Sequence, residues 1–358
     1  RVHVVGAGVM GGDIAAWCVL QGLEVSLQDR EMKFIEPALQ RARQLFRKRL
    51  RTPDLVAGAV SRLVPDVEGK GVTRADVVIE AIFEDVEAKQ DLFRELEPRL
   101  PDHALLATNT SAIPLAELSG SLKDPQRLIG LHYFNPVAKM PLVEVVYGAD
   151  TSPAQIDNGA AFCNQINRLP LPVKSSPGFL VNRVLSPYML MAFRLSASED
   201  LPPEVIDAAA THFGMPMGPV ELADVVGLDI GLQVLGSLGG DAAEDERRIL
   251  QEYVDAGKLG KKSGEGFYKW HKGKPRKDSN ATKGHDLDAI AARLMEPYFE
   301  ECRACLGDQI VEDADVLDAG MIFGTGFAPF RGGPLHYLRS LGENPETPAQ
   351  AAQEQAHE

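Results

Sequence analysis

The chain has 358 residues, enough for two to three domains at about 100–200 residues each, and its 44% hydrophobic and 25% charged composition excludes a wholly disordered or fibrous chain. A net charge of −14 argues against a nucleic-acid or anionic-membrane partner, and no apolar run approaches the roughly 18 residues of a membrane span. Four cysteines are too few for a disulfide scaffold and point to a reducing, cytoplasmic compartment. Cys302 and Cys305 share CxxC spacing but have no second pair or nearby histidine, so they read as helical, structural residues and no metal is expected.

In chain order, Val2–Val5 reads as a short strand entered directly from Arg1, with no targeting segment, as if cut from a longer polypeptide. Gly6-Ala7-Gly8-Val9-Met10-Gly11 follows, then a helical stretch to about Gln21 and a second strand at 24–28 that ends at Asp29. Strand, glycine turn, helix, strand and acid make a βαβ unit. Apolar runs at 77–82, 104–107, 128–131 and 142–146 alternate with helical patterns at about 31–51, 86–99 and 154–166, which predicts a parallel sheet covered on both faces. Beyond Pro177-Gly178 the pattern turns helical, with a polar linker at 272–284. Past the linker the chain repeats itself: Arg183–Tyr188 answers Arg293–Tyr298 and Phe213-Gly214 answers Phe323-Gly324 at an offset of 110, and Gly218-Pro219 answers Gly333-Pro334. The expected domains are 1–176, 177–272, a linker at 273–286, a second helical copy at 287–345, and a frayed tail at 346–358.

Gly6, Gly8 and Gly11 suit a dinucleotide turn: the first permits the tight bend, the second lets backbone approach a pyrophosphate, and the third lets helix pack on sheet. Asp29, 18 residues after Gly11 at the end of the next strand, suits a ribose diol and repels a 2′-phosphate, which favours NAD over NADP. A second polar cluster, Thr108–Ser111, His132–Pro136 and Glu144, falls where apolar runs end, the position at which doubly wound sheets bind ligands. A histidine there can act as a general base whose tautomer a carboxylate fixes; the plainer reading is a satisfied core histidine and a surface acid.

These residues resemble a known family. The glycine turn, Asn109-Thr110-Ser111, His132-Tyr133-Phe134-Asn135-Pro136, Ser176–Arg183, Gly218–Leu222 and Lys262–Tyr268 are similar, in order and spacing, to L-3-hydroxyacyl-CoA dehydrogenases. The extra helical copy is similar to the dehydrogenase portion of a bifunctional enoyl-CoA hydratase/3-hydroxyacyl-CoA dehydrogenase. The resemblance implies a Rossmann-type α/β domain followed by all-α domains holding two copies of a helical unit. It implies NAD-dependent oxidation of (S)-3-hydroxyacyl-CoA, with His132 as base, Glu144 as its partner, Ser111 on the reacting oxygen or cofactor, and Asn182 orienting the acyl-CoA substrate. It further places Met10, Asp29, Glu84, Lys89, Ser111 and Asn135 around NAD, with Lys262 near it. On their own residues, Glu84 reads as a helix-start acid, Lys89 as a solvated lysine, and Lys262 as one charge in a basic run.

The resemblance also implies a hydratase domain on the same native polypeptide, and leaves open whether a thiolase subunit joins it as a further partner. Rival readings are a dehydrogenase of small free 3-hydroxy acids and a catalytically silent NAD-binding structural relative. Eight Lys/Arg between Lys258 and Lys277, and Arg43, Arg47 and Arg51 on one helix face, suit either coenzyme A phosphates or plain solvation. Phe330-Arg331, inserted before Gly332-Gly333-Pro334, puts in doubt any functional carry-over onto the second copy.

Overall fold

The computed structural model describes residues 1–238 and 243–344. The expected tail at 346–358 lies outside them. The chain divides into two compact units, Arg1–Phe179 and Leu180–Glu358.

The first unit is an eight-stranded sheet in the order β3-β2-β1-β4-β5-β6-β7-β8. Its strands are β1 (Val2–Val5), β2 (Val25–Gln28), β3 (Leu63–Pro65), β4 (Val77–Glu80), β5 (Leu105–Thr108), β6 (Leu128–Tyr133), β7 (Leu142–Tyr147) and β8 (Leu169–Lys174). Six helices accompany them: α1 (Val9–Leu20), α2 (Met32–Arg49), α3 (Pro53–Arg62), α4 (Val86–Leu96), α5 (Leu115–Ser119) and α6 (Pro153–Gln165). β1, β5 and β6 are buried along their whole length, as central strands of a doubly covered sheet must be. α1 is apolar nearly all round, with Ile14 through Val19 buried in the core.

Three features depart from the sequence reading. β6 and β7 pair antiparallel, so the sheet is mixed. The apolar run 142–146 carries no mark of strand direction, because side chains alternate identically in both senses. β6 continues through His132 and Tyr133, so the histidine sits within a strand and not after one. β3 and β8 are additional edge strands; β8 contains Pro170 and Pro172, which suppress a strand signal in sequence and are tolerated at an edge.

The second unit is helical: α7 (Val181–Ser198), α8 (Pro203–Phe213), α9 (Pro219–Val226), α10 (Leu228–Leu238), α11 (Glu244–Asp255), α12 (Leu287–Gly307), α13 (Ala314–Thr325) and α14 (Pro334–Ser340). α7 packs on α12 through an edge-on contact of Tyr188 with Tyr298 and through Arg183, which binds Glu301 and Asp308 at 2.6 Å each. Both helices carry an internal proline, Pro187 and Pro297. The repeat is therefore real at the level of helices, but one pairing shifts. Gly214 is the left-handed cap of α8, whereas Phe323-Gly324 lies inside α13, whose left-handed cap is Gly326.

Cys302 and Cys305 are buried in α12, and no metal-binding group of His, Cys, Asp and Glu occurs among the described residues. The start of the stretch read as a polar linker is anchored. Lys274-Pro275 pairs with Trp270-His271, and Lys277 binds Asp207 at 2.9 Å and Glu221 at 2.7 Å. Among the described residues, no helix is long and apolar enough to cross a membrane.

Candidate active site

The glycine turn is held by backbone geometry. Gly6 has φ +102°, and a Cβ there would stand 2.4 Å from the Ala81 carbonyl oxygen; one on Gly11 would stand 1.9 Å from the Gly6 carbonyl oxygen. Those two glycines are dictated by the fold itself. Gly8 differs, because an added Cβ would meet nothing within 4 Å. No neighbour inside the protein demands glycine there, and the open space in front of it at the start of α1 fits a pyrophosphate approaching the backbone. Asp29 accepts hydrogen bonds from Ala7 N at 2.8 Å and Arg30 N at 2.7 Å, which fixes its carboxylate beside the turn. Met10 is half-buried and packs against the core.

At the other half of the sheet the structure joins residues that the sequence treats separately. Glu84 accepts hydrogen bonds from Thr110 Oγ1 at 2.5 Å and from Ser111 N at 2.9 Å, so the loop after β4 holds the loop after β5. Burial pushes the Glu84 carboxyl up, but Lys89 and the bonds from Thr110 and Ser111 outweigh it and hold the group below the usual carboxylate range. Lys89 is not a solvated lysine. It is 1% exposed and binds Glu80 at 2.6 Å and Glu84 at 3.3 Å. Sequence reasoning passed over Glu80; the one signal was an acid closing an otherwise apolar strand, Val77-Val78-Ile79-Glu80.

His132 and Glu144 are directly opposite in the β6–β7 register, and His132 Nδ1 lies 2.6 Å from Glu144 Oε2. Glu144 is fully buried and the His132 side chain is 4% exposed, so a carboxylate reading of Glu144 as a surface acid is excluded. Antiparallel pairing is what makes a spacing of 12 residues bring the two together. Phe134 and Phe179 meet the imidazole edge-on, at ring-centroid distances of 4.6 and 5.5 Å, and restrict its rotation. Asn109 Oδ1 accepts from Tyr133 N at 3.0 Å and ties the β5 loop to the strand that carries the histidine. Asn135 is exposed and precedes Pro136 through a cis peptide bond.

Two candidate residues belong to the second unit. Asn182 is the second residue of α7 and half-buried, and its carbonyl accepts from Ser186 Oγ. Lys262 donates to both Asp229 carboxylate oxygens at 2.5 and 2.6 Å. Within the surrounding basic run Lys258 is likewise paired with Glu265 and Lys277 with Asp207, whereas Lys261, Lys269, Lys272, Lys274 and Arg276 are exposed. Arg43, Arg47 and Arg51 are exposed.

Residues 1–176 match the NAD-binding domain of 3-hydroxyacyl-CoA dehydrogenases and residues 178–270 match the carboxy-terminal domain of the same family. The fatty acid oxidation complex subunit alpha of Pseudomonas putida is 37% identical over 366 residues that cover 96% of this chain. The chain spans about half (51%) of that curated relative's length. Among solved structures, 3-hydroxybutyryl-CoA dehydrogenase from Escherichia coli superposes with a TM-score of 0.81 at 27% identity, covering 99% of this chain and 98% of its own. (S)-3-hydroxybutyryl-CoA dehydrogenase from Ralstonia eutropha is 34% identical with a TM-score of 0.68, covering 76% of this chain and 99% of its own. With the glycine turn, Asp29 beside it and the paired histidine all in the matched NAD-binding domain, the chain belongs to the 3-hydroxyacyl-CoA dehydrogenases, a family of NAD-dependent oxidoreductases.

Proposed function

We propose that the chain oxidises (S)-3-hydroxyacyl-CoA to 3-ketoacyl-CoA, and that His132 is its general base. The observation that carries this reading is the buried contact of His132 Nδ1 with Glu144 Oε2 inside the NAD-binding unit. With a carboxylate on Nδ1, that nitrogen carries the proton and Nε2 keeps its lone pair for the substrate hydroxyl. His132 takes the hydroxyl proton while the hydrogen on C3 leaves with its electron pair, and the C–O bond becomes a carbonyl. Glu144 then faces an imidazolium, whose charge it offsets. NAD, when bound, supplies the hydride acceptor.

Gly6, Gly8, Met10, Gly11 and Asp29 would hold the adenosine and pyrophosphate half. The residues at the ends of β4 to β6, Glu84, Lys89, Ser111 and Asn135, would serve the nicotinamide half, in keeping with the two nucleotide-binding halves of such sheets. Ser111 would hydrogen-bond the reacting oxygen or the cofactor. Asn182 would orient the acyl-CoA, and Lys262 would act near the cofactor only by leaving Asp229.

The relatives' name and greater length support fatty-acid oxidation within a complex and a longer native polypeptide; an enoyl-CoA hydratase domain on that polypeptide, a thiolase subunit as partner and a cytoplasmic setting are proposed with it. The domain limits 1–176, 177–272, 273–286 and 287–345 are proposed as the working division. The decisive assay follows NADH formation from NAD and 3-hydroxybutyryl-CoA. Activity is expected with the thioester and hardly at all with free 3-hydroxybutyrate, and His132→Gln should lower kcat by about 10²–10⁴, the usual worth of a general base. Wild-type turnover in that variant would sink the mechanism.

A further inference from the structure

At the carboxyl ends of β4 and β5, three charged side chains form a cluster of which Glu80 and Lys89 are buried. Glu80, fully buried, accepts hydrogen bonds from Lys89 Nζ at 2.6 Å, Ile82 N at 2.7 Å and Thr108 Oγ1 at 2.6 Å. Lys89 reaches on to Glu84 at 3.3 Å, and Glu84 holds the Ser111 loop. Each carboxylate is thus satisfied by amide, hydroxyl and ammonium donors, which is what allows such a group to remain under the sheet edge at all. The charges do not cancel. Two carboxylates and one ammonium leave a single negative charge, of which only the Glu84 side chain, 24% exposed, sees solvent. A buried charge is poorly screened and acts at a distance of several ångströms.

This charge matters because of what the proposed cofactor does. The nicotinamide ring is cationic when oxidised and neutral when reduced, so a fixed negative charge beside it favours the oxidised form. An uncharged or neutralised cluster would not discriminate. A purely structural network would hold both forms equally.

We propose that Glu80 and Lys89, acting with Glu84, hold a fixed net charge of −1 under the nicotinamide end of the dinucleotide and so set the chain's relative affinity for oxidised over reduced cofactor. The inference rests on the function proposed above. It assigns Glu80 and Lys89 an electrostatic role exerted from within the protein.

The test titrates the full chain with NADH by its fluorescence and with NAD by displacement of NADH. In Glu80→Gln the cluster becomes neutral, and the dissociation constant for NAD should rise about tenfold more than that for NADH. The double variant Glu80→Gln/Lys89→Met returns the sum to −1 on Glu84 and should recover the wild-type ratio. If Glu80→Gln does not fold, Glu84→Gln removes the same charge from the more exposed end and must move the ratio in the same direction. Equal weakening of both cofactors, an unmoved ratio in the fallback variant, or a double variant that keeps the Glu80→Gln ratio overturns the inference alone. A wild-type chain that binds neither dinucleotide overturns the proposed function and this inference with it.

Discussion

The two helical copies in the second unit share one device and differ in what has been added to it. In the first copy, Asp207 on α8 accepts from Val220 N and Glu221 N and so caps α9 behind its Gly218-Pro219 start. In the second, Asp318 on α13 accepts from Leu335 N and His336 N and caps α14 behind Gly333-Pro334. A Cβ on either glycine would strike the aspartate, at 2.2 Å from Asp207 Oδ1 and 2.3 Å from Asp318 Cβ. The aspartate, the Gly-Pro step, Tyr188/Tyr298 and Pro187/Pro297 are the parts that build the helical unit, and both copies have them.

The additions separate the copies. Asp207 also receives Tyr268 Oη at 2.7 Å and Lys277 Nζ at 2.9 Å, so it anchors the hairpin and the polar stretch that follow. Asp224, on the helix that Asp207 caps, takes Phe267 N, Tyr268 N and Trp270 Nε1 at 2.8–2.9 Å. At the position of Asn182 the second copy has Ala292. Its Phe330-Arg331 insertion is used for packing: Arg331 lies 4.2 Å from the Phe213 ring centre and donates to the Phe213 carbonyl, closing the end of α8. One copy therefore carries polar attachments and the other serves as a wall for it, which teaches that fold-defining residues outlast the ones proposed for substrate.

Two substitution pairs and one single substitution sharpen or break this contrast. The largest effect is expected on stability. Asp207→Ala uncaps α9, strands the Tyr268 hydroxyl and leaves Lys277 with Glu221 alone, and should cost about 2–4 kcal/mol, against about 1–2 kcal/mol for Asp318→Ala, which loses two capping amides. Urea midpoints of the two variants measure it, and equal losses would dissolve the distinction between the copies.

On activity, Asn182→Ala should reduce kcat/KM for the acyl-CoA by about tenfold to a hundredfold, the range of a hydrogen bond to a polarised group, with the NAD KM unmoved. Ala292→Asn should do nothing. A matching loss from Ala292→Asn would mean that the second copy also meets substrate.

The smallest effect is a pH dependence. Burial raises the Asp318 carboxyl above its ordinary range despite its two amide donors. The folded state therefore binds this proton more tightly than the unfolded one, so stability gained below the unfolded carboxyl range is lost as pH climbs through the folded value. Asp318→Asn should flatten that part of the stability–pH curve, and an unaltered slope would count against the burial.

Much of this was legible beforehand because it is local. The βαβ unit, the glycine turn and Asp29 announce themselves by period and spacing, and the change to helices after Pro177-Gly178 follows from pattern alone. What could not be read is relational. Nothing in residues 142–146 states which way β7 runs, prolines hide β8, and Lys89 looks like any exposed helical lysine until Glu80 closes over it. The offset between the copies also drifted, from 110 at the tyrosines to 111 at the capping aspartates and 115 at the Gly-Pro steps, because insertions fall between helices.

The ladder joining β6 to β7 has a last consequence. Because His132 faces Glu144 across paired strands, a slide of one residue along that seam would present Val143 or Val145 instead and would turn the imidazole to the opposite side of the pleat. One residue gained or lost inside either strand would dismantle the pair. The chemistry proposed for this chain is thus written into the alignment of two ribbons of backbone as much as into the two side chains.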